Sequence, residues 1–391
     1  MSEQHPMPPG WDLSEPGHAL TAFLNSLPAR PQLLALGEPA HSMDSFPAWR
    51  NRLFRALVED HGFRSVAIES DIVAGLRVNA YGTVGEGHLD EVMQTGFSHG
   101  FGAIPANRAL VEWMREFNAG RESADRLRFY GFDAPLEFWA PSPRASLLAL
   151  YAFLSARLDD LPADTAATIE SLCGEEARWS NPATVMDPAQ SIGGGEEVRH
   201  LRLIADDLCT LLRSQAPRLA AGPGFWEAQV QARTATGLLQ YHARMADPAP
   251  SRLARLAALR DLLMADHLSA IARRERERGP TLVFAHNTHL QRPLSAMGMA
   301  GQRLEWWGVG AHMSARLGHC YAFIATNPGT APDTGRKEPA PGTLAAALMD
   351  LAGPATLFSS RDLPALLAGS LPDPQQLLLT DGVLILKEPV N

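Results

Sequence analysis

Short apolar-rich blocks alternate along this chain with longer stretches in which apolar positions recur every three or four residues. Leu33–Leu36, Phe63–Ile68, Leu127–Phe132, Leu282–Ala285 and Cys320–Ala325 are blocks of the first kind. Runs of that length, bounded by glycine, proline or charge, predict strands buried on both faces. His18–Leu27 predicts a short helix ahead of the first strand. Trp49, Leu53, Phe54, Leu57 and Val58 share one face of a helix that Ser42 and Asp44 are placed to cap and that His61-Gly62 ends. Strand, helix and strand in such close succession predict a βαβ unit with parallel strands.

From Pro141 to about Asp247 the strand pattern fades. Leu147–Leu158, Glu197–Leu212 and Phe225–Tyr241 carry helical spacing, interrupted at Gly193-Gly194-Gly195 and Gly222-Pro223-Gly224. A long amphipathic helix follows on Leu253, Leu256, Leu259, Leu263 and Ile271, and Gly279-Pro280 stops it. Leu377–Leu379 and Val383–Leu386 flank Thr380-Asp381-Gly382, a hairpin pattern. The expected fold is α/β: a sheet core with parallel βαβ units flanked by helices, over residues 18–140 and 248–391. A mainly helical insertion or cap occupies 141–247.

The candidate chemistry sits where these strands end. Leu33–Leu36 runs into Gly37-Glu38-Pro39-Ala40-His41, Phe63–Ile68 into Glu69, Leu127–Phe132 into Asp133, and Leu282–Ala285 into His286-Asn287-Thr288-His289. Parallel strands share a carboxyl edge, and ligand clefts of such sheets open there. Glu38, His41, Glu69 and His286 are therefore expected to line one pocket, and His289 joins them if the Asn287-Thr288 turn folds back. Histidine titrates close to neutrality and can take and return a proton at working pH. The plainer alternative makes Glu38 a helix cap and His41 a surface residue. Arg50, in the first turns of the next helix, is placed at the pocket's rim, to steady an oxyanion or pair with Glu38 or Glu69; a solvated arginine is its plainer reading. Trp113, Trp139, Trp306 and Trp307 are candidates for lining a cleft or simply for the core.

Composition narrows the functions. Of 391 residues 46% are hydrophobic and 20% charged, enough for a large core, and the net charge of -9 comes without a basic cluster. A nucleic-acid partner is not expected, because phosphate binding leans on clustered cations. Cys173, Cys209 and Cys320 form no CxxC pair, which speaks against a disulfide framework or a cysteine zinc site. No signal-peptide pattern opens the chain and no run of ~18 apolar residues is present, so a cytoplasmic protein acting on a small molecule, with no membrane partner, is the expectation. Its oligomeric state stays open.

Two motifs compete with the histidine reading. Gly96-Phe97-Ser98-His99-Gly100 matches G-x-S-x-G, but a nucleophile elbow needs a strand directly before it, and Gly87–Thr95 reads as polar and helical. Glu38, His41, Glu69, His286 and His289 have the ligand chemistry for a divalent metal, yet no contiguous motif such as HExxH supports one. No cofactor is expected.

The ordered set of motifs resembles the erythromycin esterase family. It comprises Gly37–His41, Phe46 with Arg50, Leu57-Val58 leading to Gly62-Phe63, the strand ending in Glu69, and Val78-Asn79-Ala80-Tyr81. Tyr130-Gly131-Phe132-Asp133, Arg260-Asp261 with Met264-Ala265, His286–His289, Gly308–Gly318 and Asp381-Gly382 complete it. The resemblance implies a bacterial, serine-independent hydrolase of a bulky, macrolide-like ester or lactone, in antibiotic resistance or natural-product metabolism. It implies His41 as general base on water, Glu38 and Glu69 as its orienters and His286 as a further catalytic residue. Arg50, His289 and Asp133 would contact substrate. Elimination or cyclisation on a natural-product intermediate would use the same groups, and a non-catalytic binding protein is a third class.

Overall fold

The computed structural model describes residues 10–41, 43–136, 140–159, 161–162, 164–299, 301–328, 342–367 and 380–387. Ten strands are found among them: β1 (Trp11–Asp12), β2 (Leu33–Glu38), β3 (Ser65–Asp71), β4 (Arg128–Asp133), β5 (Thr281–His286), β6 (Leu294–Met299), β7 (Gln302–Trp307), β8 (Tyr321–Pro328), β9 (Ala355–Ser359) and β10 (Gly382–Leu386). Eight of them form one mixed sheet in the order β1-β9-β10-β8-β2-β5-β3-β4. From β10 to β4 every neighbouring pair is parallel, while β9 and β1 run antiparallel at the edge.

The strands are apolar on both faces because helices cover both. Leu34, Leu36, Val66, Ile68, Leu282 and Phe284 meet the helices Pro16–Ser26, Ser45–His61 and Pro105–Asn118. The alternate residues Leu33, Ala35, Ala67, Val283 and Ala285 meet Met264, Leu268 and Ile271 of the helix Arg252–Glu275, and Met313 of the helix Val309–Leu317. The helices between Arg144 and Met245 close on their own cluster around Leu147, Leu150, Val198, Leu201, Ala235 and Leu239.

β2 and β3 are parallel as the βαβ pattern predicts, but β5 lies between them. Glu38 is in register with His286, so the residues expected at one edge reach it at one level. Gly62 ends the helix Ser45–His61 in the left-handed conformation, at φ 68°. Asp44 occupies the position before that helix without a side-chain cap bond, and Ser42 lies outside the described residues. A working cap falls at Asp71, whose carboxylate accepts from the Val73 and Ala74 amides at the start of the helix Ile72–Val84. The expected terminal hairpin is replaced in part: β10 finds its antiparallel partner in β9, and Leu377–Leu379 lies outside the described residues. The hairpin β6–β7 forms a separate two-stranded sheet that the apolar blocks do not predict.

Candidate active site

Glu38 ends β2 fully buried, and the turn after it folds His41 back so that Nδ1 lies 2.8 Å from Glu38 Oε1. A hydrogen on Nδ1 then donates to the carboxylate and leaves Nε2 facing Glu69 Oε1 at 3.8 Å. Burial pushes the Glu38 pKa up, and although His41 pulls it down the net direction is upward. Burial alone would push the His41 imidazole down, but its bond to Glu38 and the charges of Glu69 and Glu38 outweigh that and raise it. The His41 side chain is 37% exposed, against 12% for His289 and 2% for Glu69.

Glu69 is the hub. Its Oε1 lies 3.2 Å from His289 Nε2 and 3.4 Å from Arg260 Nη2, and its Oε2 accepts from the His286 amide at 2.8 Å. Burial opposes the charge on Glu69, yet His289, Arg260 and His41 hold its carboxyl well below the usual range. The short helical turn Asn287–Leu290 brings His289 back over this carboxylate. Gly37 makes room for that turn: a Cβ there would meet Asn287 Oδ1 at 2.1 Å. His289 Nδ1 lies 2.6 Å from Asp261 Oδ1, and Trp306 Nε1 donates to Asp261 Oδ2 at 2.8 Å. Against the pull of burial, Glu69 and Asp261 raise His289 to about 10, so it is an imidazolium at neutral pH.

The remaining expected residues are spent inward. His286 lies beside His41, with ring centroids 5.4 Å apart, but its Nε2 donates to Pro39 O at 3.0 Å and its Nδ1 accepts from the Thr288 amide at 3.1 Å. Burial and the neighbouring His41 push its pKa down, consistent with a neutral ring. Asp133 stands at the end of β4 as expected, with both oxygens on Arg260, the closest approach being 2.6 Å. Arg50 is not at the rim. It is fully buried beneath the edge, over the Phe284 ring at 4.9 Å, donating to Asn107 Oδ1 at 2.8 Å and Asn51 Oδ1 at 2.7 Å. Burial pushes its pKa down to about 9 against the charge of Glu38, so it stays cationic at neutral pH. The cause was legible: Phe46, Arg50, Leu53 and Leu57 form one stripe at helical spacing, and the apolar stripe carries the arginine inward.

The G-x-S-x-G string is not an elbow. A helix, Leu89–Thr95, precedes it, and Ser98 Oγ accepts the Asp71 amide at 2.9 Å. Its neighbour His99 nevertheless faces the site, with Nε2 3.4 Å from Arg260 Nη2. Tyr241, on the helix Phe225–Met245, stands close enough to Arg260 and Asp133 for their charges to act on it, which is the contribution visible from the 141–247 segment. Trp113 packs with Phe54 on the helical side, Trp307 is exposed, and Trp139 lies outside the described residues.

The sequence profile of the family described as Erythromycin esterase matches residues 58–377 of this chain. The chain belongs to the erythromycin esterase family. One relative, the erythromycin esterase type II of Escherichia coli, is 30% identical over 104 residues, a match spanning 27% of this chain and 24% of that protein. Three solved structures share the fold over nearly the whole chain. A Bacillus cereus protein is 17% identical with a TM-score of 0.71, covering 98% of this chain and 93% of its own. A succinoglycan biosynthesis protein is 16% identical at 0.69, with 97% and 94% covered. The erythromycin esterase EreC, a variant in its open conformation, is 20% identical at 0.66, with 98% and 96% covered. The family match takes in Glu69, Asp133, Arg260, Asp261, His286 and His289, whereas Glu38, His41 and Arg50 precede it.

In this member of the erythromycin esterase family, Arg260, Asp261 and His99 are site residues to which the sequence assigns no role, and Trp306, a cleft candidate, is the one candidate tryptophan among the described residues that bonds into the site. For Arg260 a signal existed: it falls with Leu256, Leu263, Met264 and His267 on the inward stripe of its helix. An arginine on an apolar stripe needs a buried carboxylate partner.

Proposed function

We propose that this protein hydrolyses an ester or lactone bond in a bulky, macrolide-like small molecule, with His41 as general base on water. The observation that carries the reading is the pairing of Glu38 with His41 Nδ1, which leaves Nε2 of the more accessible ring beside Glu69 and beyond hydrogen-bond reach of it. Water gives its proton to Nε2, the hydroxide adds to the carbonyl, and the imidazolium returns the proton to the departing alkoxide. The Glu38 carboxylate favours that imidazolium as the acid of a catalytic triad does. Glu69, held by the His289 imidazolium, Arg260 and the His286 amide, is fixed as a second negative charge beside the ring. His286 acts as a positioning residue, since both of its ring nitrogens are engaged by backbone. Arg50 supplies a buried positive charge near Glu38. Residues 141–247, as a cap, would shape the substrate's far wall.

We also propose that the reaction runs without a metal. The ring nitrogens of His286 and His289 are taken up by protein partners, and among the described residues no trio of His, Cys, Asp or Glu is arranged to hold an ion. The test is to incubate the purified protein with erythromycin, other macrolide lactones and p-nitrophenyl acetate, with and without chelator. Mass spectrometry would show a macrolide product heavier by one water, and p-nitrophenyl acetate would release p-nitrophenol, both unaffected by chelation, and His41→Ala would lower turnover by roughly 10²–10⁴-fold. A product of unchanged mass would instead establish rearrangement, and full activity in His41→Ala would remove the proposed base.

A further inference from the structure

Among the described residues, His99 is the one non-glycine with a left-handed backbone, at φ 58°. For a side-chain-bearing residue that conformation is unfavourable and persists where neighbours impose it. The neighbours here are the preceding residues of β3. The Ser98 amide donates to Ser70 Oγ at 2.9 Å, and Ser98 Oγ accepts the Asp71 amide at 2.9 Å and lies 2.8 Å from His99 Nδ1. Arg260 Nη2, 3.4 Å from His99 Nε2, can only donate. One tautomer accounts for the Ser98 and Arg260 contacts: Nδ1–H donates to Ser98 Oγ, Ser98 Oγ–H points to Ser70 Oγ at 3.3 Å, and Nε2 carries the lone pair toward Arg260, with Asp133 Oδ2 farther off at 3.9 Å.

We propose that His99 is a positioning residue of the active site, which accepts a hydrogen bond from Arg260 and so sets how that arginine's charge divides between Asp133 and Glu69. Arg260 Nη2 lies 2.6 Å from Asp133 Oδ2 and 3.4 Å from Glu69 Oε1. Without the third contact, the shorter ion pair draws the guanidinium toward Asp133, and Glu69 is less neutralised where it faces His41. The charged and titratable groups around His41 are Glu38 from its own loop, Glu69 from β3, His286 and His289 from the end of β5, and His99. Arg50 and Arg260 stand behind the two carboxylates. More negative charge at Glu69 holds the His41 proton more tightly.

The experiment uses side chains that separate the two ring nitrogens. Asparagine tolerates a left-handed backbone and reproduces Nδ1 but cannot reach Arg260. Glutamine reproduces Nε2 and is strained at that φ. NMR titration of labelled histidine in the full chain should show the His41 midpoint moving up in His99→Asn and His99→Gly and staying in place in His99→Gln. Melting temperature should move the opposite way, kept by asparagine and lowered by glutamine. On an ester that the wild type hydrolyses, kcat should fall by roughly tenfold in His99→Asn with KM little changed. An unmoved His41 midpoint in His99→Asn and His99→Gly overturns the proposal, as does a shift in His99→Gln equal to that in His99→Asn; if the glutamine variant does not fold, the other two decide. The functional consequence rests on His41 being the base, but the titration does not. Failure of His41→Ala to lower turnover would sink the proposed function alone.

Discussion

Both ends of β4 carry a buried charge network, and only one of them has the makings of a site. At the amino end Glu275 accepts from Tyr130 Oη at 2.6 Å, from Arg128 Nη1 at 3.0 Å and from Arg278. Each of its oxygens is engaged, and the tyrosine that shares it is pushed still further from neutrality by burial. At the carboxyl end Asp133, Arg260, Glu69 and Asp261 form an equally buried set, but imidazoles are threaded through it. One of them, His41, has a side chain 37% exposed, with Nε2 3.8 Å from Glu69 Oε1 and so beyond hydrogen-bond reach, and Glu38 Oε2 has no hydrogen-bond partner among the described residues. Burial of charge is common to the two ends. A partly exposed imidazole, with one ring nitrogen beyond hydrogen-bond reach of its carboxylate neighbour, belongs to one.

Breaking each end should therefore break a different property. Glu38→Gln keeps the shape of the carboxylate but removes its charge and lets its amide present a hydrogen to Nδ1, favouring the wrong His41 tautomer. Turnover of any hydrolysed ester should drop by roughly 10²-fold, with the urea midpoint close to wild type. Glu275→Ala leaves Arg128 and Arg278 without their buried carboxylate and should cost about 3–5 kcal/mol of stability, with kcat per folded molecule retained. Urea denaturation and steady-state kinetics on both variants decide this; a Glu275→Ala protein that is stable, or a Glu38→Gln protein that is fully active, would erase the contrast. Ser98→Ala removes no reacting group and only loosens the hold on His99, so it should lower kcat far less than Glu38→Gln does.

The sheet edge was readable because strand ends are marked by where apolar blocks stop. Leu33–Leu36 and Leu282–Ala285 predict their strands, and the parallel rule alone brings Glu38 and His286 to one level. Order within the sheet was not readable: nothing in Ser65–Asp71 or Thr281–His286 says that the later strand inserts between β2 and β3. The family resemblance, by contrast, was carried by an ordered set of short motifs and agrees with the profile match. The sequence names Trp306 as a cleft candidate and Asp261 within a family motif, but their link to His289 spans separate elements, joined through the β6–β7 hairpin, and no spacing reveals it. Arg50 lies deeper than its charge alone suggests, because the apolar stripe that it shares with Phe46, Leu53 and Leu57 carries it under the sheet edge.

A further contrast concerns His289, whose pKa is raised to about 10, above the ordinary histidine value near 6.5. A group whose folded pKa is raised contributes stability that is fully present below the unfolded value and is lost as pH rises through the folded one. His289→Asn should therefore be less stable than wild type by an amount that is constant below about pH 6.5 and shrinks toward pH 10. Urea midpoints of the two proteins across that window check it. A gap that widens with pH would mean that His289 is neutral in the folded protein and that Glu69 and Asp261 are not its counter-charges.

The smallest effect expected is on the pH dependence of turnover, and it concerns His41. Burial lowers its pKa while Glu38 and Glu69 raise it, and the net displacement is upward from 6.5. A general base works when unprotonated, so kcat/KM should rise with pH along an acid limb whose midpoint lies above 6.5. The amino-end network predicts no such limb, since its tyrosine and arginines do not titrate there. Glu38→Gln removes both the bond and one of the two charges that hold the proton, so its limb should move down although its plateau is far lower. Rate profiles on one ester from pH 5 to 9 give both midpoints. A wild-type limb below 6.5, or a limb that moves up in Glu38→Gln, would mean that the ionisation governing turnover is not that of His41 beside Glu38.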